Sequence, residues 1–151
     1  TFNSIMYSNR MIGMPRAAAD RPGFGIAWVK CLIMHANSGI TFDLEEIRKT
    51  LPKGNIVSFQ TKLGIERGVH RPKASNAGFW VLVDGEVKFS KPRVKDQNLY
   101  SVSIDISDSN RFLTLVTTDG GDPAERIIDD VAADAIDGDW GFYVDPVLIL
   151  N

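Results

Sequence analysis

The sequence predicts an all-β domain, an antiparallel β-sandwich or jelly roll with one or two short helices. Three observations predict it. Apolar and polar residues alternate with a period of two in several separate runs, as strands half-buried against a core require. Turn residues, Asp84-Gly85 among them, separate those runs at short intervals. Helical spacing of apolar residues is confined to two brief stretches, 44–49 and 123–137.

Taken in order, residues 1–24 hold one candidate strand near Ile5-Met6-Tyr7 and a loop through Pro15 and Pro22. Ile26 to Met34 is almost wholly apolar, which suits a strand covered on both faces or one that bends. Leu44 to Lys49 can form one or two helical turns, stopped by Pro52 and Gly54. From there Val57, Phe59, Thr61, Leu63 and Ile65 are assigned to one face, with Ser58, Gln60 and Lys62 on the other. Phe79 to Val83 and Val87 to Phe89 flank Asp84-Gly85, a pair suited to a type I′ turn because both central residues need positive φ. Tyr100, Val102, Ile104 and Ile106 alternate with Ser101, Ser103 and Asp105, and the strand Phe112 to Val116 follows a turn at 107–110. Asp122-Pro123-Ala124-Glu125 reads as a helix start: an N-cap, a proline at the first helical position and a glutamate three residues after the cap. Ile127, Ile128, Val131, Ala135 and Ile136 continue it at helical spacing and Gly138 ends it, giving an amphipathic insertion. Val147 to Leu150 is the last strand, expected to pair with an early one. Seven or eight short strands of this kind suit a sandwich.

At 151 residues the chain is expected to be a single domain, 1–151, large enough to bury a core unaided. It starts at Thr1 and shows no signal peptide and no membrane-length apolar run, as a piece cut from a larger protein would. The formal net charge of −2 argues against nonspecific nucleic-acid binding, which needs clustered positive charge. The densest basic patch, Lys88, Lys91, Arg93 and Lys95, reads as a solvated hairpin face. The acids do cluster: residues 119–145 hold nine against the single basic Arg126, a surface that invites cations or neutral polar ligands. Cys31 has no cysteine partner and lies in an apolar run, as a buried inert thiol would.

No hydrolytic triad, nucleotide-binding loop or zinc motif is present, and catalysis by this chain is not expected. The chemistry on offer suits binding. Trp140, between Asp139 and Gly141, could stack the apolar C–H face of a sugar, or else join Phe142 and Tyr143 in the core. His35 closes an apolar run and is followed by small polar residues, which suits a strand exit beside a ligand or a structural imidazole. Glu66 and Arg67 end an alternating strand and could reach the same rim, or pair with each other at the surface. Asp119, Asp122 and Asp137 lie among glycines, in segments able to supply carboxylate and carbonyl oxygens to calcium. Capping would compete for the Asp122 side chain, and the spacing is not that of an EF-hand.

Several segments, in order, resemble the NPCBM family of carbohydrate-binding modules, found attached to glycoside hydrolases and other secreted bacterial proteins. His35-Ala36-Asn37-Ser38 and Phe42-Asp43-Leu44 are similar to its Gly-x-x-Thr-His-Ala-x-Ser segment and the strand end after it. Leu63-Gly64-Ile65-Glu66 resembles a Val-Gly-x-Asp strand, and Phe79 to Gly85 a strand running into an Asp-Gly turn. Leu113 to Asp122 resembles a Leu-x-Leu-x-Val-x-Asp-Gly-Gly-Asp stretch, and Asp139-Trp140 with Asp145-Pro146 its closing stretch. The resemblance covers about residues 23–150. It departs at Met34, where the family has threonine, at the insertion 123–137, and at Gly138, where a histidine is missing.

The resemblance implies a galactose-binding-domain-like sandwich and noncatalytic recognition of terminal, galactose-type sugars. It implies an attached catalytic domain, a structural calcium in many members, and an extracellular, periplasmic or cell-surface location. The expected ligand residues are His35, Glu66, Arg67, Asp139 and Trp140, with neither nucleic acid nor membrane insertion involved. The rival expectation is a structural or protein-interaction domain of a larger extracellular protein.

Overall fold

The computed structural model describes residues 31–65, 76–96, 98–120 and 140–151, Trp140 by its backbone. Their elements run β1 Cys31–His35, β2 Ser38–Asp43, α1 Leu44–Thr50, β3 Ile56–Ile65, β4 Ala77–Val83, β5 Glu86–Val94, β6 Tyr100–Asp105, β7 Phe112–Thr118 and β8 Trp140–Leu150. The strands form two antiparallel four-stranded sheets, β1-β8-β3-β6 (sheet A) and β2-β7-β4-β5 (sheet B). Period-two alternation turns one side of each strand inward, and the inward sides build one core. Phe59, Leu63, Ile65, Tyr143 and Leu148 of sheet A meet Phe42, Phe79, Val81, Leu113 and Leu115 of sheet B. Phe79 and Tyr143 join the layers edge to face, with ring centroids 5.6 Å apart.

The β1–β8 part of sheet A is apolar on its outer side as well. Ile33, Phe142 and Val144 form a second buried cluster, with Cys31 and Leu99 packed against it. This is why residues 31–34 read as apolar without alternation: Leu32 and Met34 serve the central core, and Ile33 serves the outer cluster.

The Asp84-Gly85 hairpin forms as expected, with φ of 50° and 82° at its two residues. Asp84 also ties this end together. Its carboxylate accepts from the Phe112 and Arg111 amides at 2.7 and 2.9 Å and from Asn110 Nδ2 at 2.9 Å. Helix α1 is docked alongside. Asp43 caps it by accepting from the Glu45 amide at 3.0 Å, and Leu44 N donates to Arg111 O at 2.7 Å. The Arg48 guanidinium donates to Asn110 O at 2.8 Å and Ser107 O at 2.9 Å.

Bonds from the Phe112 amide and the Asn110 side chain hold the Asp84 carboxyl below its ordinary value of 3.8. A depressed folded-state value means the carboxylate stabilises the fold at pH above the ordinary value. That contribution is lost as the pH falls through the folded-state value. Asp84→Asn is therefore expected to lower Tm at pH 7, and its Tm should fall less than the parent's between pH 5 and pH 3. Thermal melts across that range check it.

Two strand assignments change. Val57 does not share the buried side of β3. The register slips between Ile56 and Ser58 against β8, so Ile56 and Phe59 are buried and Val57 is 36% exposed. The last strand is also longer than Val147–Leu150. It starts at Trp140 and passes through Asp145-Pro146 in a second irregularity, where Asp145 takes φ 47°. A bulge lets a central strand hold a proline. Buried Thr61 spans the break, its hydroxyl donating to Val144 O at 2.9 Å. The expected pairing with early strands holds, since β8 lies between β1 and β3. The expected helix at 123–137 and the candidate strand near Ile5 lie outside the described residues.

Candidate functional site

Strand pairing decides which connections share an end of the sandwich. In sheet A, His35 pairs with Trp140, Ile65 with Gly141 and Leu63 with Tyr100. In sheet B, Ser38 pairs with Thr117, Gly78 with Thr118 and Ala77 with Val94. The β1–β2, β3–β4, β5–β6 and β7–β8 connections therefore all leave from one end. Helix α1, the Asp84-Gly85 turn and the turn before β7 occupy the other.

The two segments most suggestive in the sequence, around His35 and around Asp119 to Trp140, thus reach the same end from opposite halves of the chain. His35 is the last residue of β1 and is half-buried, its Nδ1 3.4 Å from Ala36 O. Trp140, the first residue of β8, is its direct cross-strand partner. Such partners stand about 5 Å apart. Chain direction here rests on a tight turn: Ala36 is buried, and Asn37 takes φ 60°, which asparagine tolerates better than most residues.

Asp119 follows the end of β7 and is half-buried. Next to it Gly120 adopts φ 70°, and Asn76 Oδ1 fills the place a Cβ would take there. Buried Asn76 precedes β4, so this contact joins the β3–β4 and β7–β8 connections where they enter sheet B. Nothing in the local sequence marked Asn76, because the contact joins residues far apart in the chain. Among the sequence-predicted residues, Glu66, Arg67, Asp122, Asp137 and Asp139 lie outside the described residues, as does the Trp140 side chain. Among the described residues no group of three His, Cys, Asp or Glu is placed to hold a metal ion, Asp119 included. None of their helices is long and apolar enough to cross a membrane.

The sequence profile of the NPCBM/NEW2 domain matches residues 24–146. The chain belongs to the NPCBM/NEW2 family. No curated protein matches this NPCBM/NEW2 domain. Solved structures do. A CBM51 module of a GH95 protein from Clostridium perfringens, solved with methyl-galactose, is 24% identical with a TM-score of 0.62, covering 82% of this chain and 72% of that one. A C. perfringens ZmpB structure, holding an M60 catalytic domain with two CBM51 domains, is 24% identical at TM-score 0.58, over 80% of this chain and 11% of that one. Tandem CBM51 modules of Sp3GH98, a family 98 glycoside hydrolase from Streptococcus pneumoniae, are 20% identical at TM-score 0.57, over 81% and 32%. The NPCBM/NEW2 domain here thus has the fold of carbohydrate-binding modules, whose relatives sit beside catalytic domains in the same chains.

Proposed function

We propose that this domain is a noncatalytic carbohydrate-binding module that holds a terminal, galactose-type sugar and brings an attached enzyme to its glycan. The observation that carries the proposal is the direct pairing of His35 with Trp140 at the end where four connections converge. Trp140 would stack the apolar face of the sugar. His35, Glu66, Arg67 and Asp139 would bond its hydroxyls, with bridging waters completing the set. Such sites are shallow and wet, so affinity for one sugar is expected to be weak. The methyl-galactose in the related C. perfringens module supports the galactose-type reading. Calcium, if bound, would take oxygens from Asp119, Asp122 and Asp137 and brace the β7–β8 connection beside the sugar. An extracellular or cell-surface location accords with this role.

A glycan array run with calcium and again with chelator tests the proposal. Binding to terminal galactose or N-acetylgalactosamine is expected, and chelator sensitivity would support the calcium. A blank array in both conditions would return the domain to the protein-interaction reading. Trp140→Ala is expected to abolish glycan binding while leaving the circular-dichroism spectrum and Tm near the parent's. Unchanged affinity in that variant would overturn the assignment of the site.

A further inference from the structure

We propose that the outer face of sheet B carries a second sugar-binding surface, a pyranose platform centred on Trp80 and separate from the loop end. The proposal rests on the sugar-binding reading of the domain. Directly paired residues of antiparallel strands share a face of their sheet. Phe79 and Val81 pair with Thr117 and Leu115, and all four are buried in the core. Trp80, between Phe79 and Val81, therefore lies on the outer side. It shares its rung with Ser90 on one flank and Val116 on the other, and Val116 pairs onward with Gly39.

The indole reaches toward β7. Its Nε1 is 3.5 Å from Thr118 Oγ1, and Thr118 pairs with Gly78 on a neighbouring rung. Gly78 lacks a side chain where Thr118 Oγ1 and Pro92 O crowd its backbone, and Trp80 is half-buried. Ser90 and Gly39 beside it are exposed and small, so they leave the ring approachable from the flanks. Further along the face Thr41 and Thr114 present hydroxyls bonded to each other at 2.9 Å. The directly paired positions carry no Asp, Glu, Lys or Arg; beside them Lys88 stands in the β5 bulge, its Nζ 2.6 Å from Glu86 Oε2. An aromatic ring with hydroxyls around it suits the C–H face of a pyranose, whose own hydroxyls can meet the threonines.

Indole and amide resonances of the isotope-labelled full chain test this. The probes are methyl-galactose, N-acetylglucosamine and a galactose-ended tetrasaccharide, each titrated to saturation or solubility. Saturable shifts of the Trp80 indole N–H and of the Val116 and Gly39 amides are expected with at least the tetrasaccharide. Trp80→Phe should keep the Val116 and Gly39 amide shifts, and Trp80→Ala should weaken the tetrasaccharide fit at those two amides by about tenfold. Shifts confined to residues 35 and 140 would overturn the platform and leave the loop-end site standing. Shifts at Trp80 with a silent loop end would do the reverse. Sugar-independent changes at Trp80 that follow protein concentration would assign the face to a second copy of the chain and overturn the proposal. A spectrum unmoved by every probe would overturn both sites.

Discussion

Gly141→Val is expected to leave the chain unable to fold. Gly141 lies in β8, the strand flanked by β1 and β3, and faces the core with Tyr143. An added Cβ would stand 2.7 Å from Thr117 Cγ2 and 2.8 Å from Phe79 Cε1. Thr117 and Phe79 are fully buried in the opposite sheet and have no space to retreat into. A single inserted methylene group in a packed core costs about 1–3 kcal/mol, and a branched side chain adds more than one. Total stabilities of about 5–15 kcal/mol leave little margin for that in a strand bonded on both edges. Soluble expression and circular dichroism of Gly141→Ala and Gly141→Val check it. The alanine variant should be strongly destabilised and the valine variant unfolded. A native spectrum with parent Tm for both would show that the two sheets can separate to make room.

The second large effect is at Tyr143. Its ring is fully buried in edge contact with Phe79, and its hydroxyl donates to Val116 O at 2.8 Å, from one sheet to the other. Burial holds the phenol well above its ordinary value of 10.0, so it stays protonated as a donor throughout the working pH range. Tyr143→Phe keeps the ring and removes the cross-sheet bond, at an expected cost of about 1–2 kcal/mol. Tyr143→Ala also empties the space between the sheets and should cost about 3–5 kcal/mol. Urea unfolding of both variants separates the two contributions. Equal losses would mean that the ring contributes nothing beyond its hydroxyl.

What could be read in the sequence divides by the range of the interaction that carries it. The Asp84-Gly85 turn, the stretch at Leu44 and the alternation from Tyr100 to Ile106 are set by residues a few positions apart, and they appear where expected. The slip at Val57 and the passage of β8 through Asp145-Pro146 depend on partners in other strands. Proline there reads locally as a stop, and only the opposing strand turns it into a bulge. The candidate site divides the same way. His35 and Trp140 could each be picked out from local chemistry, as a strand-end imidazole and an indole between Asp139 and Gly141. Their pairing could not, because it closes a separation of more than a hundred residues. Trp80 reads locally as one residue of the strand Phe79 to Val83, and alternation alone cannot say which side of that strand faces the core.

The order of strands in the two sheets also bears on synthesis. Every strand of sheet B has been made once residue Thr118 is in place, so β2, β7, β4 and β5 can pair while the chain is still growing. Sheet A is different. Its β3 and β6 can join, but among the described strands β1 pairs only with β8, which arrives from residues 140–150. A nascent chain halted before Trp140 would expose the apolar undersides of one finished sheet and one open pair, the kind of surface that draws chaperones or aggregates. The candidate site is completed by the same late strand, so the core closes and the His35–Trp140 pairing forms in a single event once that strand has been made.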